Sequence, residues 1–227
     1  ALVAIGCWWE YLGLLPQQPK GALRWILWLP GLLFAISFLF PLLAHKAVWA
    51  LLLLAVLGFL MALGKSKSSE LWLESGVGLL FSMLPFWLLS RLSFAEGGSF
   101  KPLLMMFLMV WINDTMAYVG GRLLGKHKLA PSISPGKSVE GFAVGWIAAL
   151  AAAAALGHFW LEADWYRWPL FALIFIPLAV AGDLFQSFLK RRVGKKDSGR
   201  IMPGHGGFLD RFDSFLLAVP LTWGLFW

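Results

Sequence analysis

Apolar runs, most of them close to the ~20 residues that a helix needs to cross a bilayer, make up most of this sequence and restrict its fold. Of all residues, 59% are hydrophobic and only 14% are charged, against about half and about a quarter in a soluble domain. The sequence therefore predicts an all-α, polytopic membrane protein. An alanine-rich run at 148–155 is interpreted as part of a plain apolar span. The single cysteine, Cys7, excludes an internal disulfide.

We expect about eight transmembrane helices, most of them close to the length that a bilayer requires. They fall near residues 1–15, 22–44, 47–63, 71–90, 102–121, 141–160, 169–190 and 210–227. Because the first run is short and the chain opens on Ala1, we expect residues upstream, with a ninth helix among them. Residues 1–100 are expected to form N-terminal membrane helices. Residues 101–227 form a second region with two polar loops, 122–140 and 190–211.

The distribution of Lys and Arg predicts the orientation of these helices. If the loops near 16–24, 64–70, 122–140 and 190–211 share one side, that side holds fifteen of the nineteen Lys and Arg residues. Cytoplasmic loops of membrane proteins carry such an excess, so both long polar loops are expected to face the cytoplasm. The net charge of +7 suits anionic partners at that surface, whereas the sequence contains no nucleic-acid-binding module.

The stretch 187–214 is the one long polar passage in the chain. Six cations lie within the eleven residues 190–200, and Arg and Lys donate hydrogen bonds that match phosphate oxygens. A solvated basic loop with a turn and a helix cap is the alternative interpretation. The mixture of cations, glycines and carboxylates favours a site for a polyphosphate and its metal.

Glycines and carboxylates complete this polar stretch. Gly204, Gly206 and Gly207 allow the backbone to approach a ligand and to present its N–H groups, especially if a helix begins just after them. Asp210 and Asp213 are three residues apart, so on a helix they share a face. Carboxylates beside a phosphate site are hard oxygen ligands of the kind that Mg²⁺ prefers.

A second polar stretch covers residues 113–141. Asp114, Tyr118 and Arg122 follow one another at intervals of four and line one face at the end of a predicted helix. A carboxylate inside a membrane helix is costly unless it is paired or hydrated, which makes Asp114 a candidate site residue. The alternative is a structural pair with Arg122 or with a neighbouring helix.

Three other carboxylates lie within apolar runs. Asp183 precedes Ser187 by one helical turn, so its face leads into the stretch 187–214, where it is expected to meet the carboxylates of that stretch. Glu10 and Glu74 have no neighbours of the phosphate-binding type in the sequence. We therefore predict structural hydrogen bonding for these two side chains.

Both polar stretches resemble the phosphatidate cytidylyltransferases, also called CDP-diacylglycerol synthases. The family signature is matched here at Ser187, Lys190-Arg191, Lys196-Asp197, Pro203-Gly204-His205-Gly206-Gly207, Asp210-Arg211 and Asp213. The upstream matches are Asp114, Ala117-Tyr118, Gly121-Arg122, Gly125-Lys126, Ser134-Pro135, Lys137-Ser138 and Glu140-Gly141. The resemblance covers about the C-terminal half of the chain. In the N-terminal half it rests on hydropathy and on Trp9-Glu10, which looks like the second membrane helix of such enzymes.

The resemblance implies an activity and a location. Such an enzyme transfers CMP from CTP to phosphatidic acid, which gives CDP-diacylglycerol and pyrophosphate. Residues 101–227 would be its catalytic region, and membrane lipids and a second copy of the chain would be its partners. We expect an integral protein of a bacterial inner (cytoplasmic) membrane, with the active site facing the cytoplasm and with no nucleic-acid partner.

The resemblance also implies roles for single residues. Asp183, Asp210 and Asp213 are expected to bind Mg²⁺, with a second metal ion as an option. Lys196 and His205 complete the catalytic set, where His205 either donates a hydrogen bond to phosphate or orders its loop. The expected substrate-binding residues are Asp114, Tyr118, Arg122, Lys126, Ser134, Lys137, Ser138, Glu140, Ser187, Lys190, Arg191, Asp197, Gly204, Gly206, Gly207 and Arg211.

Two other functions compete with this one. A CTP-dependent polyprenol, dolichol or phytol kinase is also a multispan enzyme, but it would transfer the γ-phosphate, and the stretch 203–213 argues against it. A transporter would place charges near the bilayer centre, beside broken helices. Here the main acidic residues lie at helix ends beside basic loops.

Overall fold

The computed structural model describes residues 2–16, 67–95, 99–199 and 206–226, and it is mostly helical there. Its elements are helices α1 (Leu2–Leu12), α2 (Lys67–Ala95) and α3 (Lys101–Leu124), strands β1 (Lys128–Ala130) and β2 (Ser134–Ser138), and helices α4 (Val139–Phe159), α5 (Arg167–Arg192) and α6 (Leu209–Phe226). The predicted helices at 22–44 and 47–63 lie outside the described residues. The helical prediction is confirmed, with one correction to the all-α class. Strands β1 and β2 form an antiparallel hairpin inside the polar loop 122–140.

Helices α3, α4 and α5 are long and apolar enough to cross a membrane. Helix α1 has only 11 described residues, and the apolar part of α2 is limited to Gly76–Leu92. Helix α6 begins with three charged residues, Asp210, Arg211 and Asp213, which shorten its apolar part. Within the described ranges three helices are therefore long and apolar enough to span a membrane, and the expected total of eight or nine spans stays a prediction.

The chain divides into two compact units. Unit 1 comprises Ala1–Ser90 and Leu189–Phe212, and unit 2 comprises Arg91–Phe188 and Asp213–Trp227. Each unit therefore combines segments that are far apart in the sequence. The functional division at residue 100 stays a prediction.

In unit 1, α1 packs closely against α2 through aromatic side chains. The Tyr11 ring of α1 lies against the Phe81 ring of α2, with the two centroids 6.5 Å apart. Gly78 of α2 lies directly against the Tyr11 ring, where a Cβ atom would collide with it. The Tyr11 hydroxyl donates a hydrogen bond to the carbonyl oxygen of Glu74 at 3.0 Å. The phenol is therefore satisfied although it is buried.

In unit 2, a stripe of small residues brings α4 close to α3. The stripe repeats at intervals of four and consists of the buried residues Gly141, Gly145, Ala149, Ala153 and Gly157. A Cβ atom on Gly141 would lie 2.6 Å from the carbonyl oxygen of Ala117, and one on Gly145 would lie 2.5 Å from that of Asn113. Small residues allow such close approach of membrane helices. The alanine-rich run is therefore a packing surface on one side and not a plain apolar span.

In unit 2, helix α6 packs against α5 from Asp213 onward. A Cβ atom on Gly182 would lie 2.7 Å from the carbonyl oxygen of Asp213, so only glycine fits there without a shift. Further along α6, the Phe215 ring packs on Phe107 with centroids 4.5 Å apart. These contacts place Asp213 beside the helical turn that carries Asp183.

Candidate active site

Unit 2 contains a cluster of two carboxylates and a lysine, which we call the Asp114–Lys137–Asp183 cluster. Lys137 of β2 forms an ion pair with Asp183 of α5, and the Ser187 hydroxyl donates to the other Asp183 oxygen at 3.4 Å. Asp114 of α3 interacts electrostatically with both Lys137 and Asp183. Its side chain accepts a hydrogen bond from Asn113 at 3.1 Å and does not pair with Arg122. Four residues that were predicted from sequence thus meet in one place.

The hairpin fixes the position of Lys137. The Glu140 carboxylate accepts hydrogen bonds from the N–H groups of Lys126 at 3.0 Å and His127 at 3.2 Å, and it pairs with the His127 ring at 2.6 Å. The Ser138 hydroxyl accepts an N–H from the first turn of α4 at 3.1 Å, as an N-cap residue does. The C-terminal end of β2, next to Lys137, is therefore held, and the substrate-binding roles of Glu140 and Ser138 stay predictions.

Asp183 and Asp213 stand on adjacent helices of unit 2. The Asp213 carboxylate accepts the N–H of Ser214 at 2.7 Å. Asp183 and Asp213 offer hard oxygen donors, which fit Mg²⁺ by their chemistry. Across the described residues, no group of three or more His, Cys, Asp or Glu side chains is arranged to hold a metal ion.

In unit 1, Asp210 joins three segments of the polar stretch. One carboxylate oxygen accepts the Lys190 ammonium at 2.8 Å. The other accepts the N–H groups of Ser198 at 2.9 Å and of Gly207 at 3.0 Å. The side chains of Lys190 and Asp210 are each only 12% exposed, so the pair is largely shielded from water. Asp210 thus has a structural task in unit 1, and its role as a metal ligand stays a prediction.

Glu10 is bound to the same polar stretch. Its carboxylate accepts the Ser198 hydroxyl at 2.7 Å, the N–H of Phe208 at 2.9 Å and the N–H of Leu209 at 2.9 Å. The predicted structural hydrogen bonding of Glu10 is confirmed. Sequence reasoning missed its partners, although the match at Trp9-Glu10 pointed to this residue.

Glu74 has a simpler environment than Glu10. Its carboxylate pairs with Arg192 at 2.7 Å, which agrees with the predicted structural role.

The other predicted residues lie where solvent or ligands can reach them, or outside the described ranges. The exposed members are Tyr118, Arg122, Lys126, Arg191, Lys196, Asp197 and Arg211, and Ser134 is half-buried. Gly204 and His205 lie outside the described residues. Gly206 has a φ of +80°, which favours glycine. The site roles of all these residues stay predictions.

Three helices long enough to cross a membrane, with a cluster of carboxylate and lysine side chains beside two of them, define an integral membrane protein with a charged site. The sequence matches the model of the Cytidylyltransferase family over residues 1–227. The chain belongs to this family, and the resemblance inferred from its two polar stretches is confirmed.

Curated bacterial relatives agree with this assignment. The chain is 51% identical to the phosphatidate cytidylyltransferase of Staphylococcus haemolyticus over 118 residues, which are 51% of this chain and 45% of the relative. It is 51% identical to that of Staphylococcus saprophyticus over 122 residues, which are 52% of this chain and 46% of the relative. The protein of that name from Staphylococcus aureus is 49% identical over 117 residues, 51% of this chain and 45% of the relative. The chain spans about half the length of the curated relatives it matches.

Proposed function

We propose that this protein is a CTP-dependent nucleotidyltransferase that transfers CMP from CTP to phosphatidic acid, which yields CDP-diacylglycerol and pyrophosphate. The Asp114–Lys137–Asp183 cluster carries the proposal. It combines a cation on β2 that suits a phosphate with carboxylates on α3 and α5 that suit a metal ion, and both helices are long enough to cross a membrane. The names of the staphylococcal relatives support the choice of substrates.

In the proposed reaction, a phosphate oxygen of phosphatidic acid attacks the α-phosphorus of CTP. One P–O bond forms there, and the bond from the α-phosphorus to the oxygen shared with the β-phosphate breaks. Pyrophosphate leaves with that oxygen and its electron pair. A phosphomonoester with a second pKa near ~6 is largely dianionic at pH 7, so the attack requires no general base. Charge neutralisation and alignment are then the main tasks of the protein.

The residues of unit 2 fit these two tasks. Lys137 donates hydrogen bonds to phosphate oxygens, while Asp114 and Asp183 orient its ammonium group. Asp183 and Asp213 would hold a Mg²⁺ ion, which would neutralise negative charge on the reacting phosphates. Lys196 and Arg211 are proposed as further phosphate contacts from the signature alone, and so is the metal-binding role of Asp210.

The proposed setting is a bacterial inner membrane, with the polar loops on the cytoplasmic side, where CTP is found. The excess of Lys and Arg in one set of loops supports this orientation. Phosphatidic acid would keep its acyl chains in the bilayer during the reaction. A homodimer and a second metal ion are proposed from the family resemblance only.

The test uses purified protein, phosphatidic acid and CTP that is labelled at either the α- or the γ-phosphate. We expect the α label to enter the lipid, the γ label to leave as pyrophosphate, and no transfer to occur without Mg²⁺. If the γ label entered an added lipid alcohol instead, the protein would be a kinase. Ion flux across proteoliposomes without nucleotide turnover would contradict both enzymes and favour a transporter.

A further inference from the structure

The Glu10 carboxylate is buried in unit 1 without a basic side chain among its described hydrogen-bond partners. Its residue is only 3% exposed. One oxygen accepts the N–H of Phe208, and the other accepts the N–H of Leu209 and the hydroxyl of Ser198. Hydrogen bonds to a charged group are stronger than those between neutral groups. A buried carboxylate needs such partners to offset the loss of hydration.

Glycines on the polar stretch allow this close approach. A Cβ atom on Gly199 or on Gly207 would collide with the Glu10 carboxylate. Gly6, one turn before Glu10 on α1, lies directly against the ring of Phe208. The segments 198–199 and 207–209 of the stretch, which we call its flanks, therefore pack around the Glu10 side chain of α1.

Glu10 and Asp210 share the donors of these flanks between them. Ser198 donates its N–H to Asp210 and its hydroxyl to Glu10. The N–H of Gly207 goes to Asp210, whereas the next two N–H groups go to Glu10. The first N–H groups of a helix attract anions, and at α6 a carboxylate of the protein already occupies that place.

We propose that Glu10 is a positioning residue for the nucleotide site. It ties the flanks 198–199 and 207–209 to α1 and so fixes the backbone that carries the predicted phosphate contacts Lys196 and Arg211. Glu10 itself touches no substrate in this proposal. The inference rests on the proposed function, because it assigns CTP to this polar stretch.

The variant Glu10→Gln tests the proposal with almost no change in size. An amide has only one acceptor oxygen, and its NH₂ group would face backbone N–H donors that then lack a partner. The matched control is Glu74→Gln, which alters an exposed ion pair of the same unit. Rates are measured against CTP and, separately, against phosphatidic acid in micelles.

We expect Glu10→Gln to raise the KM for CTP about 10-fold or more, a typical effect of losing a supporting residue around a site. In Glu10→Gln, the KM for phosphatidic acid should change less than about 2-fold. In the Glu74→Gln control, the KM for CTP should also change less than about 2-fold, because the described partner of Glu74 is Arg192, outside the flanks. A lower kcat with an unchanged KM for CTP would indicate only a smaller folded fraction and would overturn the proposal.

Amide hydrogen exchange without nucleotide gives a readout that does not depend on activity. We expect the N–H groups of Phe208 and Leu209 to be protected in the parent protein and to lose about 10-fold or more of that protection in Glu10→Gln. If they lose protection while the parent protein transfers no CMP, the proposed function fails and the positioning contact stands. Unchanged protection contradicts the positioning role.

A second variant, Ser198→Ala, removes one of the three donors and leaves the carboxylate in place. It should raise the KM for CTP in the same direction but by a smaller factor, about 3-fold. This variant decides the question if Glu10→Gln does not fold. A KM for CTP equal to that of the parent protein would then contradict the proposal.

Discussion

The ion pair between Lys137 and Asp183 positions the lysine side chain and contributes little to stability. Their side chains are 31% and 27% exposed, so water and salt screen the pair, and such pairs contribute only about 0–1 kcal/mol to stability. The pair does fix the ammonium group beside Asp183. Its removal should therefore affect the reaction far more than the fold.

The variant Lys137→Met should lower kcat/KM for CMP transfer about 100-fold or more, because it removes the proposed donor to the phosphate oxygens. The free energy of unfolding should change by less than about 1 kcal/mol. Initial rates and thermal unfolding in the same detergent check both values. Lys128→Met, at an exposed lysine of β1, is the control and should keep normal rates.

If Lys137→Met kept normal turnover, Lys137 would not contact the phosphates. A loss of rate in Lys128→Met as well would indicate damage to the hairpin instead. Only a loss confined to Lys137 supports the proposed role.

At the scale of the helices, the sequence of α4 contains a pattern of small residues that its overall apolar composition does not reveal. The small residues of α4 recur at intervals of four and are buried along its length, because this spacing places them on one helix face. Apolar neighbours between them, such as Ile147, remain exposed. A helix that is apolar on every side still has one face that meets α3.

The same substitution at two positions of α4 tests this surface. Ala149 is fully buried in the stripe, whereas Ala151, two residues later, is exposed. Ala149→Leu should reduce the free energy of unfolding by about 1–3 kcal/mol, because the extra carbons do not fit. Ala151→Leu should change it by less than about 0.5 kcal/mol. Thermal unfolding in detergent compares the two.

Equal losses at both positions would contradict the close packing of α3 and α4. A gain of stability in Ala149→Leu would show that a cavity is present there.

For the whole chain, the charges of the loops predict on which side of the membrane they lie, and this can be tested directly. We expect the hairpin loop to face the cytoplasm and the loop between α4 and α5 to face the other side. Cys7 is the only cysteine and is buried, so it can be replaced before new cysteines are introduced. Lys128 and Trp165 are both exposed and suit that purpose.

In a Cys7→Ser background, Lys128→Cys should react with a membrane-impermeant maleimide only when the cytoplasmic face is accessible. Trp165→Cys should react only from the opposite face. Labelling of intact cells and of inside-out vesicles measures this. The reverse pattern would contradict the orientation, and labelling of both sites from one face would contradict the single crossing by α4.

The positions of the described helices and the polar character of the two stretches were readable from the sequence, because apolar length and charge are local properties. Lys137 and Asp183 were recognised as candidates in this way, and so was membership of the family. The alanine-rich run at 148–155 of α4 was equally visible but was interpreted as part of a plain apolar span. The hairpin was missed because its polar residues carry no alternating pattern.

The partners of these residues depend on the tertiary structure alone. Glu10 meets Ser198 and Leu209 because α1 packs beside a segment far along the chain. Asp210 binds the N–H groups of its own stretch because the backbone turns back toward it. The sequence indicates which residues will be buried. The hydrogen-bond donors that a buried carboxylate meets are set by the packing of segments far apart in the chain. That difference is why Glu10 was predicted to be hydrogen-bonded and its connection to the polar stretch was not.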